Sequence, residues 1–187
     1  MAHPFLHFAT ITRHRHLVMR HCRKAGIFWQ GLRHDLSKYS PTEFWAGARY
    51  FQGNRSPNES ERETIGYSLA WMHHKGRNRH HFEYWVDIDP ATKQYRPVPM
   101  PPRYVAEMFC DRVAASKIYR KKEYRDGDAY AYYLRGRAKT LMHPDTARML
   151  EKWLRELSEN GEKAAFSMVR ADLKEAKKQE KEKKKKH

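Results

Sequence analysis

The stretch Gly31-Leu32-Arg33-His34-Asp35-Leu36-Ser37-Lys38-Tyr39-Ser40-Pro41-Thr42-Glu43-Phe44 joins a pair of metal-ligating residue types to a helix start. Ser40 suits an N-cap, Pro41 suits the first helical position, and Glu43 completes a capping box, so a helix is expected to run on to about Phe51. Upstream, Ile11, Leu17, Val18 and Ala25 fall among basic residues and histidines, which predicts a helix over Thr10–Ala25 ended by Gly26. Residues before it, Met1–Ala9, read as irregular. A short helix over Phe28–Lys38 then carries His34 and Asp35.

Further out the punctuation repeats. Ser56-Pro57-Asn58-Glu59 opens a helix with Ile65, Leu69 and Met72 on one face, running to His74 or Lys75. Gly76–Pro102, which holds Asp89-Pro90 and Pro97-Val98-Pro99-Met100-Pro101-Pro102, reads as a long connection with an extended piece near Phe82–Val86. Pro101 or Pro102 opens a helix to about Lys121 with a stripe of Val105, Met108, Ala115 and Ile118. Helices over Ala129–Leu141 and Pro144–Ser158 follow the break at Asp126-Gly127-Asp128. From Lys163 the chain becomes Lys/Glu-rich, helical near Ala164–Leu173 and then frayed. The expected fold is therefore all-α: one helical domain over 1–160 with a long irregular connection, and a charged tail over 161–187.

Composition narrows the function classes. Of 187 residues, 40% are hydrophobic, enough for one core, and no apolar run is long enough to span a membrane. The N-terminus is basic and His-rich, without the apolar segment of a secretory signal. Cys22 and Cys110 are the only cysteines, too few for a disulfide framework, and read as small buried hydrophobes in a cytoplasmic protein. Net charge is +16; residues 171–187 hold eight Lys against four acids, so +12 belongs to the body. A basic body attracts phosphates, nucleotides or nucleic acid.

Eight of the twelve histidines cluster, as His14, His16, His21; His34; and His73, His74, His80, His81. Imidazole is the commonest nitrogen ligand for transition metals, and a carboxylate completes a harder site. On a helix, His34 and Asp35 point about 100° apart, so both reach one metal only where a helix ends or a second element wraps round. Asp111 lies within the apolar stripe Val105–Met108–Ala115–Ile118. A carboxylate facing a core is costly unless paired or metal-bound. His3, His7 and His143 read as surface or capping residues.

His14, His34-Asp35 and Asp111 together resemble the H…HD…D signature of the HD superfamily of metal-dependent phosphohydrolases. His34-Asp35-Leu36-Ser37-Lys38 resembles its H-D-x-x-K form, and His80-His81-Phe82-Glu83 its H-H-E element. A more specific likeness is to a family of bacterial and phage proteins of unknown function, through Gly31–Phe44, Asn78–Trp85 and Met100–Asp111. That likeness covers about residues 10–150.

The resemblance implies a compact HD-like bundle holding one or two divalent ions (Fe, Mn, Zn, Ni or Co). His14, His34, Asp35 and Asp111 would hold the first, and Asp35 would bridge to a second held by His74 with His80 or His81. His74 is preferred to His73 because His73 shares a face with Ile65 and Leu69. Asp35 and Lys38 would be catalytic, Lys38 contacting a phosphate. Arg33, Arg77 and Arg79 would widen the anion-binding rim, and Glu83 would orient a ligating histidine. The expected activity is hydrolysis of a nucleotide or related phosphate ester by a metal-activated water. The alternatives are a di-iron oxygenase using the same ligands, and a non-catalytic nucleic-acid binder using the basic body and lysine tail.

Overall fold

A computed structural model describes residues 2–136 and 141–185. Among them are eight α-helices and one two-stranded hairpin: α1 (Pro4–Ala25), α2 (Phe28–Leu32), α3 (Pro41–Arg49), α4 (Pro57–Ile65), α5 (Leu69–Lys75), β1 (Val86–Ile88), β2 (Tyr95–Pro97), α6 (Pro102–Arg120), α7 (Asp128–Arg135) and α8 (Pro144–Lys185). The fold is all-α. No described helix is long and apolar enough to cross a membrane.

Local chemistry explains most element ends. Pro occupies the first helical turn of α1, α3, α4 and α6, where its missing N–H costs nothing. Gly26 caps α1 in the left-handed conformation (φ 81°), its segment returning hydrogen bonds to Arg23 and Cys22 carbonyls. Gly161, at a positive φ of 77° with extended ψ, breaks α8 into two helical pieces.

Several boundaries differ from the sequence expectation. Helix α1 begins at Pro4, not Thr10, because His7 and Ile11 already belong to its buried stripe with His14, Val18, His21, Cys22 and Ala25. Far from lying on the surface, His7 is wedged against Phe44 and Phe51, with Gly47 leaving room for its ring. The helix expected over Phe28–Lys38 stops at Leu32 and resumes as a 3-10 turn over Leu36–Tyr39. The single helix expected to run to His74 is two, α4 and α5, separated at Gly66 in the left-handed region; the Ser68 hydroxyl accepts from the Trp71 N–H to start α5. The helix expected over Ala129–Leu141 stops as α7 at Arg135, where Gly136 turns extended (ψ 153°); residues 137–140 lie outside the described ones.

The core sits where α1, α6 and α8 meet. Val18 and Cys22 of α1, Val105, Phe109, Cys110 and Val113 of α6, and Leu150, Trp153 and Leu154 of α8 are all sealed from solvent. The core continues past residue 160: Ala165, Phe166 and Val169 are buried in it, with Phe166 edge-on to Phe109 at 5.5 Å between ring centres. The boundary expected at 160 therefore falls inside the domain, and only the end of α8 is a solvated charged arm. α1 also packs on α2 and α3, and α3 on α5, which gathers these segments around the α1–α6 pair.

Candidate metal centre

The site is assembled from short-range irregularities. α2 ends at Leu32, and Asp35 takes a left-handed conformation (φ 54°), rare for a residue with a Cβ. That reversal, rather than helical spacing, turns both His34 and Asp35 inward. His14 comes from the buried stripe of α1, and Asp111 from α6. His74 comes from the last turn of α5, and His80 and His81 from the turn after it.

These side chains form two groups that share Asp35. His14, His34, Asp35 and Asp111 offer ligand atoms all within 4.8 Å of one another, and so do Asp35, His74, His80 and His81. His14 Nε2 lies 2.9 Å from Asp111 Oδ1, and His34 Nε2 lies 3.2 Å from Asp35 Oδ2. On the other Asp35 oxygen, His74 Nε2 stands at 3.3 Å and His80 Nε2 at 3.5 Å. Lys38 Nζ reaches Asp35 Oδ2 at 2.7 Å.

Proximity here does not mean hydrogen bonding. Nε2 of His14, His34, His80 and His81, and Asp35 Oδ1, are buried without a hydrogen-bond partner, while Asp35 Oδ2 is met by the Lys38 ammonium. The short His14–Asp111 approach lacks hydrogen-bond direction on the imidazole side. Each unmatched buried polar atom costs about 1–3 kcal/mol. Nitrogen lone pairs and carboxylate oxygens converging on shared space, with no thiolate among them, are the donor set of a transition-metal ion. The residues present fit such an ion.

The rear nitrogens are held by two carboxylates. Glu107 Oε1 takes His34 Nδ1 at 2.9 Å and His80 Nδ1 at 3.2 Å. Glu43 Oε2 takes His74 Nδ1 at 2.7 Å, while its Oε1 takes His73 Nδ1 at 2.6 Å. Bonding at Nδ1 fixes the ring and leaves Nε2 facing forward.

Electrostatics follow from burial and these partners. Burial works against charge on Asp35, yet His34 and Lys38 hold its carboxyl well below the usual range. Asp111 is depressed likewise, against burial, by His14. Burial pushes His14 down, with Asp111 opposing, and pushes His81 well down with help from the nearby His80 and His74. Against burial, Asp35 holds His34 well above and His74 above the ordinary imidazole range; neutral imidazole and ionised carboxylate are the ligating forms, so an ion would displace protons from these two rings. Hydrogen bonds from His34 and His80 outweigh burial at Glu107 and hold it down to about 2.

The expected ligands His14, His34, Asp35, His74, His80, His81 and Asp111 thus come together, with Lys38 beside them. His74 is the inward member of its pair, but not for the expected reason: Leu69 and Met72 are more than half exposed, so that face is not core. Glu83 does not take the supporting role given to it. Its Oε2 is buried without a partner and it bonds to none of the described histidines; Glu43 and Glu107 do that work instead. Glu43 was expected in a capping box, yet Ser40 makes no side-chain cap bond and the carboxylate turns inward. Glu107 has a signal in the sequence, since it precedes Asp111 by one turn on the same helix face. Arg33, Arg77 and Arg79 are exposed, and none contacts the cluster: Arg77 donates to the His73 carbonyl and Arg79 to the Tyr104 hydroxyl.

Residues 3–156 match a family described as a family of unknown function (DUF5662), and no curated protein and no solved structure matches the chain.

Proposed function

We propose that this chain, which belongs to the DUF5662 family of unknown function, is a metal-dependent phosphohydrolase acting on a nucleotide or related phosphate ester. The observation that carries the reading is the sharing of buried Asp35 between two His/carboxylate groups with Lys38 alongside. His14, His34, Asp35 and Asp111 would hold one divalent ion, and Asp35, His74, His80 and His81 a second. Fe, Mn, Zn, Ni or Co all suit these nitrogen and oxygen donors. Bound ions supply Lewis acidity at a phosphoryl oxygen and a water of lowered pKa.

The chain's own residues do the rest. Glu107 and Glu43 aim the imidazoles. Lys38, whose side chain is 29% exposed, stands at the edge of the cluster with its charge held on by Asp35 against burial. Its ammonium would hold a phosphate oxygen. The likeness to the HD superfamily, on these same residues, supports the reaction class.

The test is elemental analysis of the purified protein beside His34→Ala and Asp111→Ala, followed by hydrolysis of bis(p-nitrophenyl) phosphate and nucleotides. Both variants are expected to lose metal and turnover. Unchanged metal content in both would overturn the reading. Iron with oxygen uptake and no hydrolysis would favour a di-iron oxygenase on the same ligands.

A further inference from the structure

A groove of about 850 Å³ runs between α1 and α6 and past the end of α6. Its lining carries six cations, Arg13, Arg20, Lys117, Arg120, Lys121 and Lys122, against one carboxylate, Glu123. Lys117 is tied to Glu162, and Arg120 pairs with Asp128 and Glu123. Arg13, Arg20, Lys121 and Lys122 have no ion pair among the described residues. Burial, with repulsion from Lys24 and Arg20, pushes the Lys117 ammonium down, with Asp126 opposing. Tyr119 and Tyr124 lie among them, Tyr124 with the Lys117 ammonium over its ring at 5.1 Å.

The two helices that wall the groove also carry residues of the Asp35 cluster, His14 on α1 and Asp111 on α6. Arg13 precedes His14 on α1, and Leu17, one turn on, lines the groove. On α6, Tyr119 is two turns past Asp111 and feels the charges of both Lys38 and Asp111. Eight residues of helix span about 12 Å, the length of three or four stacked nucleotides at about 3.4 Å each. Cations that follow a backbone, with aromatic rings between them, are the elements of single-strand recognition. A mononucleotide polyphosphate would fill only the cluster end.

We propose that the α1–α6 groove binds a short single strand of nucleic acid whose phosphodiester reaches the Asp35 cluster, making an oligonucleotide the substrate class of the site. The reaction rests on the hydrolase reading; the binding does not. Water would add across one P–O bond, leaving one strand with a phosphate end and one with a hydroxyl end.

Binding of fluorescein-labelled hexathymidylate to the full chain, measured in EDTA over a salt series, separates the two claims. Arg20→Glu with Lys122→Glu, one from each wall and neither near the cluster, is expected to weaken binding at least about tenfold. It should also flatten the log–log salt slope by about 1.4, two contacts at about 0.7 each. Its metal content and its turnover of bis(p-nitrophenyl) phosphate should match the unmodified chain. The same charge change in the arm, Lys177→Glu with Lys181→Glu, should leave binding as it was. Equal loss from the arm pair, no loss from the groove pair, or displacement of the strand by ATP at equal phosphate concentration would each overturn the proposal. Metal loss in His34→Ala with strand binding intact would leave it standing, whereas absence of metal in the unmodified chain would remove only the reaction.

Discussion

Glu43 and Glu107 each hold two histidines by Nδ1, and such outer carboxylates tune affinity without touching the ion. Glu107→Gln and Glu43→Gln are each expected to weaken metal binding by about 10–100-fold, read by competition with a chelator. Because Gln keeps the volume and one acceptor, the urea midpoint of the metal-free variants should shift far less than the affinity. Unchanged metal affinity in both would mean that the cluster is oriented by packing alone. At this scale the ligating residue types were readable one by one, and their supports were not. A carboxylate three positions after Ser40 reads locally as a cap, and only the neighbouring α5 turns it toward His73 and His74.

Elements meet at places where a side chain would not fit. Gly31 is buried in α2 against α1, where an added Cβ would stand 2.5 Å from the Cys22 Cβ and 3.3 Å from the Met19 backbone. Gly31→Ala is therefore expected to cost about 1–3 kcal/mol by overpacking, measured by urea unfolding. It should weaken metal binding too, because α2 leads directly into His34 and Asp35; loss of stability with full metal affinity would show that the turn adjusts independently. Helix starts were legible because proline and glycine act within one turn. The break at Gly66 was not, since Ile65, Leu69 and Met72 keep a helical spacing across it while facing solvent.

For the whole molecule, the second half of α8 decides stability. A chain ending at 160 loses Phe166, Ala165 and Val169 from the core, and a buried Phe alone is worth about 3–5 kcal/mol. That chain is expected to lose cooperative unfolding, whereas one ending at 174 keeps Phe166 and the Asp172 bond to Trp153 and should melt near the full-length temperature. Acid should also act globally. His21 is buried between the Cys110 carbonyl and Phe166, and burial, with Lys117 nearby, lowers it to about 3. The unfolded chain takes up that proton below about 6.5, so stability falls as pH drops from there toward 3. The loss is about 1.4 kcal/mol per unit, or about 2 kcal/mol at pH 5. His21→Gln should reduce the fall between pH 7 and pH 5 by about that amount; an unchanged slope would assign the proton elsewhere.

The amino-acid order by itself determined that the chain is helical, where most helices begin, and that His14, His34, Asp35 and Asp111 deserve to be read together. Those features rest on periodicity, on proline and glycine, and on motif likeness, all carried by the chain locally or by pattern. What only the tertiary structure decided depends on distant segments meeting. Glu107 and His34 are 73 residues apart in the chain yet 2.9 Å apart in space. Phe166 is core because α8 folds back at Gly161. The cationic groove exists because Arg13 and Arg20 of α1 come to lie opposite the end of α6. No local propensity encodes such pairings; they are set by how α1, α6 and α8 bury their shared apolar faces.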